Sequence, residues 1–332
     1  MAILVTGGAG FIGSHTCVEL LQAGEEIVVF DNLCNSKITA IENVKKITGK
    51  DFPFYVADML DRDAMEKIFT DHKIDEVIHF AGLKAVGESV QMPMEYYYNN
   101  IAGTLILTQT MRKFGCKRIV FSSSATVYGS PKTLPIKEDF PLSTTNPYGA
   151  TKLMIEQILR DIYHSDKTWS VALLRYFNPT GAHESGLIGE DPNGIPNNLM
   201  PRLIKVALGQ MPAATVYGSD YPTKDGTGVR DYIHVVDLAQ GHLAAIKWVR
   251  EHEECDAFNL GTGTGYSVLE LIQALEIASE RPMPITYMAR REGDIAACYA
   301  DPTKAKEVLG WEAKLSVGEM CRDAWNYAVK HQ

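Results

Sequence analysis

Short apolar runs recur along the chain without the polar alternation of a half-exposed strand. They are Ala2-Ile3-Leu4-Val5, Glu26-Ile27-Val28-Val29-Phe30, Phe54–Val56 and residues 77–80, 118–122 and 171–175. Runs of that length and texture are expected of strands buried on both faces of a parallel sheet. Between them, residues 14–21, 64–69 and 104–114 carry helical spacing, and after Pro147 the residues Met154, Ile155, Ile158, Leu159 and Ile162 recur on one helical face. Such alternation predicts an α/β fold, a doubly wound parallel sheet of Rossmann type. After Tyr176 the texture changes to glycine, proline and asparagine, as in Asn178-Pro179, Pro192-Asn193-Gly194, Pro196-Asn197-Asn198 and Asp225-Gly226-Thr227-Gly228. Long irregular segments of this kind are usually binding loops or lids. The run Ala257-Phe258-Asn259-Leu260-Gly261 then suggests a return to the sheet. The expected division is a first domain of residues 1–176 plus 234–262 and a smaller, discontinuous C-terminal α/β substrate domain of 177–233 plus 263–332.

Charge narrows the partners. A formal net charge of −9 over 332 residues leaves no basic patch for nucleic acid or an anionic membrane, so a small-molecule ligand is expected. The six cysteines show no C-x-x-C spacing, which favours reduced thiols. No apolar run approaches a membrane span, and the first residues enter a strand rather than a leader, so a cytoplasmic protein is expected. His79, His183 and His234 belong to no H-E-x-x-H or comparable cluster; they read as satisfied polar residues, and no metal is expected.

The first apolar run leads directly into Thr6-Gly7-Gly8-Ala9-Gly10-Phe11-Ile12-Gly13, which matches G-x-G-x-x-G from Gly8 and the spaced form Gly7, Gly10, Gly13. Strand, glycine turn and helix in succession form a pyrophosphate cradle, because backbone amides at a helix start attract anions. Asp31 ends the second strand, eighteen residues after Gly13. A carboxylate there accepts both ribose hydroxyls and repels a 2′-phosphate, which favours NAD over NADP. Tyr148 and Lys152 lie four apart at a predicted helix start, stacking a phenol and an ammonium on one face. A phenol must be brought from about 10 toward neutrality to act as a base, and nearby positive charge does that.

With the glycine loop, Asp31, Ser124 and Tyr148-x-x-x-Lys152 in hand, the chain resembles the extended short-chain dehydrogenase/reductase family over essentially its whole length. Within it, Asn32-Leu33-Cys34-Asn35-Ser36, the segment from His79 to Val86, Ser122-Ser123-Ser124-Ala125-Thr126-Val127-Tyr128-Gly129, Arg175-Tyr176-Phe177-Asn178-Pro179 and the segment from Gly228 to His234 look like the branch that inverts C4 of UDP-hexoses. The resemblance implies a tightly held NAD touched by Phe11, Ile12, Asp31, Asn32, Asn35, Ser36, Asp58, Met59, Phe80, Ala81, Gly82, Lys84, Asn99, Lys152 and Tyr176. It also implies a homodimer through helices that include the one after Tyr148. The implied reaction oxidises C4 to a 4-keto sugar, turns the sugar and reduces it on the other face. Tyr148 is the implied base, Lys152 its electrostatic partner, and Ser124 a hydrogen-bond partner that relays the proton. The UDP-sugar is implied to meet Ser124, Tyr148, Asn178, Asn198, Leu199, Tyr217, Arg230, Arg291, Asp294 and Cys298.

Taken on their residues alone, Arg230 and Arg291 fit ion pairs with neighbouring acids as well as a diphosphate, and Asn178 and Asn198 fit loop caps. A 4,6-dehydratase of the same fold would add an acid and a base beside the tyrosine. Related dehydratases carry Thr-Asp-Glu where this chain has Ser124-Ala125-Thr126. A non-enzymatic NAD-binding regulator would have no need of Ser124, Tyr148 and Lys152 together. Family members restricted to glucose and galactose tend to carry tyrosine at the position that counting from Arg291 and Asp294 gives to Cys298. Cysteine there leaves room for an N-acetyl group and implies turnover of UDP-N-acetylglucosamine and UDP-N-acetylgalactosamine. A slip of one residue would put Tyr299 in its place, since neighbours in an extended segment face opposite ways.

Overall fold

A computed structural model describes residues 2–192, 196, 198–291 and 294–331. Asn193, Gly194 and Asn197 of the proline-rich loop, and Glu292 and Gly293 between Arg291 and Asp294, lie outside the described residues. The strands, in chain order, are β1 (Ala2–Thr6), β2 (Glu26–Asp31), β3 (Phe54–Val56), β4 (Ile74–His79), β5 (Arg118–Ser124), β6 (Ser170–Tyr176), β7 (Asn178–Thr180), β8 (Ala214–Tyr217), β9 (Val229–His234), β10 (Cys255–Leu260), β11 (Gly265–Ser267), β12 (Ile285–Met288) and β13 (Ala297–Cys298).

Seven of them form one parallel sheet in the order β10-β6-β5-β4-β1-β2-β3, with β1 pairing β2 and β4 on either side. The apolar runs of the inner strands have no exposed face because helices cover both sides, whereas at the edge strand β3 Val56 is 64% exposed. Phe11–Gln22, Ile38–Thr48 and Val235–Glu251 pack on one face through Val18, Leu21, Val44, Leu238 and Trp248. Arg62–Asp71, Gly103–Lys113 and Pro147–Ser165 pack on the other through Met65, Ile68, Leu107, Ile155 and Leu159. A second, smaller core joins Leu199–Ala207, Val268–Ser279 and Val317–Lys330 to β8 and β9. No helix among the described residues is long and apolar enough to cross a membrane.

One expectation on the Pro147–Ser165 helix needs correction. Ile155 and Leu159 are buried, but Met154 is 46% exposed and faces away from the sheet. The inward position next to it belongs to Glu156, 1% exposed, a charge that apolar periodicity cannot reveal.

Candidate active site

The carboxyl ends of β1 to β6 open on one crevice, the position where such sheets bind ligands. The crevice is a cavity of about 450 Å³. At its sheet end lies the glycine loop. Gly7 has φ +71°, and a Cβ on it would stand 2.7 Å from Ala81 N, so only glycine lets the β1 turn meet the β4 turn this closely. A Cβ on Gly13 would stand 2.4 Å from Gly7 O, which fixes the contact between helix and turn. The Phe11–Gln22 helix starts from Gly10 with no side-chain cap, so its first amides are left to the cavity, a donor set suited to a pyrophosphate. Asp31 lines the same end and is held by Ala9 N at 3.1 Å, Leu33 N at 2.8 Å and Ser36 Oγ at 2.8 Å. On this geometry the loop, the uncapped helix start and the carboxylate fit a dinucleotide.

Gly7, Gly10, Phe11, Ile12, Gly13, Asn32, Asn35, Ser36, Met59, Phe80, Ala81, Gly82, Lys84, Asn99, Lys152 and Tyr176 line the cavity along with Asp31. Asp58 stands one layer behind, accepting Asn32 Nδ2 at 2.8 Å. Asn100, which the sequence did not single out, is the organiser of the adjacent loop. Its amide bonds Leu83 N at 2.8 Å, Leu83 O at 3.0 Å and Thr151 Oγ1 at 3.0 Å, tying residues 82–84 to the helix that carries Tyr148.

That helix has two start signals. Asn146 caps it by accepting Gly149 N at 2.8 Å, and Pro147 occupies its first turn. Tyr148 and Lys152 therefore face the cavity one turn apart. One turn further, Glu156 accepts Ser123 Oγ at 2.5 Å and a two-pronged bond from Arg175 at 2.9 and 2.7 Å. Arg175 continues to Tyr128 OH at 2.9 Å. The pair is fully hydrogen-bonded, the condition under which a buried ion pair is tolerated, and it locks the helix to β5 and β6.

Lys152 Nζ donates to Ser122 O at 2.7 Å, 4.9 Å from the Phe121 ring centroid and 5.8 Å from that of Tyr148. Burial brings its pKa down to about 8, since a desolvated ammonium is costly. Burial also raises the Tyr148 phenol above its ordinary value, while the neighbouring Ser124 hydroxyl acts in the opposite direction. The net direction is upward, so burial outweighs the hydroxyl, and positive charge near the phenol is what would bring it back toward neutrality. At the floor, Tyr176 OH bonds His242 Nε2. His79, outside the cavity wall, is held between Thr6 Oγ1 at 2.8 Å and Thr104 Oγ1 at 2.9 Å.

The outer end is lined by Ser124, Thr126, Asn178, Asn198, Arg230, Asp294 and Cys298. Asn198 donates to Glu190 at 2.5 Å. Asp294 stands between two arginines, accepting Arg291 Nε at 2.8 Å and facing Arg230 Nη2 at 3.9 Å. The ion-pair reading of these arginines thus holds in this structure. Leu199, Tyr217 and Arg291 do not line it. Leu199 opens the helix behind Asn198, and the Tyr217 ring lies 4.8 Å beneath the Arg291 guanidinium. Parallel pairing of β13 with β9 sets Cys298 opposite Arg230; Cys298 lines the cavity, whereas Tyr299 turns away against Gly265.

Residues 4–324 match a sequence model described as GDP-mannose 4,6 dehydratase. None of Ser124, Ala125 and Thr126 is ionisable, so the elimination acid and base of a dehydratase are missing from that turn. The chain is 65% identical over 327 residues to the UDP-glucose 4-epimerase of Bacillus subtilis, covering 98% of this chain and 96% of the relative. Among solved structures, it superimposes with a TM-score of 0.96 at 56% identity on a UDP-glucose 4-epimerase from Bifidobacterium longum in complex with NAD+ and UDP, covering 99% of this chain and 98% of that one. The corresponding enzyme from Stenotrophomonas maltophila, with bound NAD and formylated UDP-arabinopyranose, gives 0.98 at 48% identity, covering 100% and 98%.

Proposed function

The chain belongs to the UDP-glucose 4-epimerases of the extended short-chain dehydrogenase/reductase family, and on that premise we propose that it interconverts UDP-galactose and UDP-glucose with a resident NAD. The observation that carries the reading is the convergence of Tyr148, Lys152 and Ser124 on one cavity with the glycine loop at one end and Arg230 at the other. The sheet-side residues 1–176 plus 234–262 hold the cofactor, and 177–233 plus 263–332 hold the UDP-sugar. When bound, NAD would supply the electron acceptor and donor that oxidation and re-reduction at C4 require, and its oxidised form would add positive charge to the site.

Tyr148 removes the proton of the C4 hydroxyl and returns it after the 4-keto sugar has turned. Lys152 assists from one helical turn away. Ser124 hydrogen-bonds the reacting oxygen. Arg230 at the cavity wall exchanges its contact with Asp294 for the diphosphate, and Arg291 turns in from outside the wall to join it, which leaves the affinity in the nucleotide and the sugar free to rotate; Asn178 and Asn198 frame the nucleotide at the wall, with Leu199 and Tyr217 behind them. Cys298 at the cavity wall leaves space for a C2 N-acetyl group, so UDP-N-acetylglucosamine and UDP-N-acetylgalactosamine are further substrates.

The chain also works as a homodimer. Met154, Met94, Val90 and Tyr98 are 46%, 77%, 62% and 66% exposed on and beside the Pro147–Ser165 helix, an apolar cluster suited to a twofold contact. Its six free cysteines suit a reducing compartment such as the cytoplasm. Turnover of UDP-galactose by purified protein without added cofactor tests the main reading. Activity that depends on stoichiometric NADP(H) would overturn it.

A further inference from the structure

Ser124 accepts two hydrogen bonds from a single neighbour, Thr126. Its backbone is extended (φ −151°, ψ 148°), and it caps the short turn Ala125–Val127. Its Oγ receives the amide of Thr126 at 3.2 Å and the Thr126 hydroxyl at 3.0 Å. A serine hydroxyl has two lone pairs and one proton. With both lone pairs engaged, the proton is what remains for the cavity.

Thr126 is held on its other side as well. A Cβ added to Gly149 would stand 3.3 Å from Thr126 Cβ, Oγ1 and O, so the threonine packs closely on the bare backbone of the residue next to Tyr148. That packing sets the turn that carries the serine against the first turn of the helix that carries the tyrosine.

We propose that Thr126 is a positioning residue: by filling the acceptor side of Ser124 Oγ, it makes the Ser124 hydroxyl an obligate donor toward Tyr148 and the reacting oxygen. An obligate donor stabilises a phenolate, which accepts, over a phenol that needs to donate. It also makes Ser124 a donor rather than a carrier of the proton. The consequence for turnover rests on the epimerase reading, whereas the donor geometry does not.

The test has a direct readout. Tyr148 is titrated in the purified holoenzyme by phenolate difference absorbance, with Tyr148→Phe as the blank. Thr126→Val keeps the shape and removes the hydroxyl, and it should raise the Tyr148 pKa by about half to one pH unit. Thr126→Ser should leave it at the wild-type value. In turnover, the rise of kcat with pH should move upward by the same amount with KM unchanged. In a Ser124→Ala background, Thr126→Val should add nothing, because the two residues act through one contact.

A downward shift would mean that Ser124 donates to Thr126, and no shift would mean that the threonine only fills space. Either result overturns the proposal, as does an undiminished effect in the Ser124→Ala background. If the valine variant fails to fold, Thr126→Ala repeats the measurement without the branched methyl. A titration shift in a protein that does not turn over UDP-galactose would sink the epimerase reading and leave the proposal standing.

Discussion

At the sheet end of the cavity, Ser123, Lys152, Tyr176 and His242 are between 0% and 6% exposed, and each bonds to groups supplied by the fold itself. At the outer end, the side chains of Arg230, Asp294 and Arg291 are 22%, 24% and 55% exposed and pair with one another. The first group is set during folding by strand ends and buried partners, so its geometry is ready before any ligand arrives. The second is gathered from segments distant in sequence, and on the proposed function its charges exchange partners when a diphosphate enters. Variants at the sheet end should therefore register in catalysis or stability, and variants at the outer end in nucleotide affinity.

The largest effect is expected at Tyr148. Tyr148→Phe removes the base without opening a cavity, so turnover of UDP-galactose should fall by about 10²- to 10⁴-fold while the melting temperature holds. Near-normal turnover would remove Tyr148 from the chemistry and break the comparison at its centre. Arg230→Met comes next. It should weaken UDP binding, measured by titration calorimetry, by about ten- to a hundredfold, the worth of a charge-assisted hydrogen bond. Cofactor content, read from the absorbance of the released nucleotide, should not change. Loss of cofactor in that variant would mean that the two ends are not separable.

Cys298 tests the outer wall by shape rather than charge. Cys298→Tyr should lower kcat/KM for UDP-N-acetylgalactosamine by about five- to a hundredfold, the range of an overpacked contact, and spare UDP-galactose. No activity on the acetylated sugar in the wild type, or equal activity in both proteins, would sink the wider substrate range.

The same division decides what could be read from the sequence. The seven strands of the main sheet were legible because parallel strands buried between helices leave uninterrupted apolar runs, and the glycine loop because Gly7 and Gly13 sit where a Cβ would strike backbone; the short strands β7, β8, β9, β11, β12 and β13 carry no such run. Tyr148 and Lys152 were legible because helical spacing is local. Glu156 and Arg175 were not: their pairing spans two elements, and neither carries a local signal of burial. Asn100 and Thr126 were missed as organisers for a related reason, since their importance lies in the partners of their hydrogen bonds. The outward turn of Met154 was hidden because apolar spacing cannot distinguish a core face from an exposed contact face. At the outer end, counting identified the Cys298 position, but its side of the strand became visible only from the pairing of β13 with β9.

The smallest effect separates stability from affinity most cleanly. His242 Nδ1 donates to Leu238 O at 2.8 Å, so a neutral ring has its lone pair on Nε2, and the Tyr176 hydroxyl must donate to it. Burial holds the imidazole neutral by lowering its pKa from 6.5 to about 4. Tyr176→Phe keeps the ring but leaves a buried acceptor unpartnered, at a cost of about 1–3 kcal/mol, seen as a melting temperature lower by a few degrees. The folded-state pKa is depressed, so the contribution is complete above pH 6.5 and is lost as pH falls through about 4. The gap between wild type and variant should therefore be widest at neutral pH and close toward pH 4. UDP affinity should be untouched. A variant that melts normally but binds UDP weakly would show that the floor of the cavity is coupled to its outer end.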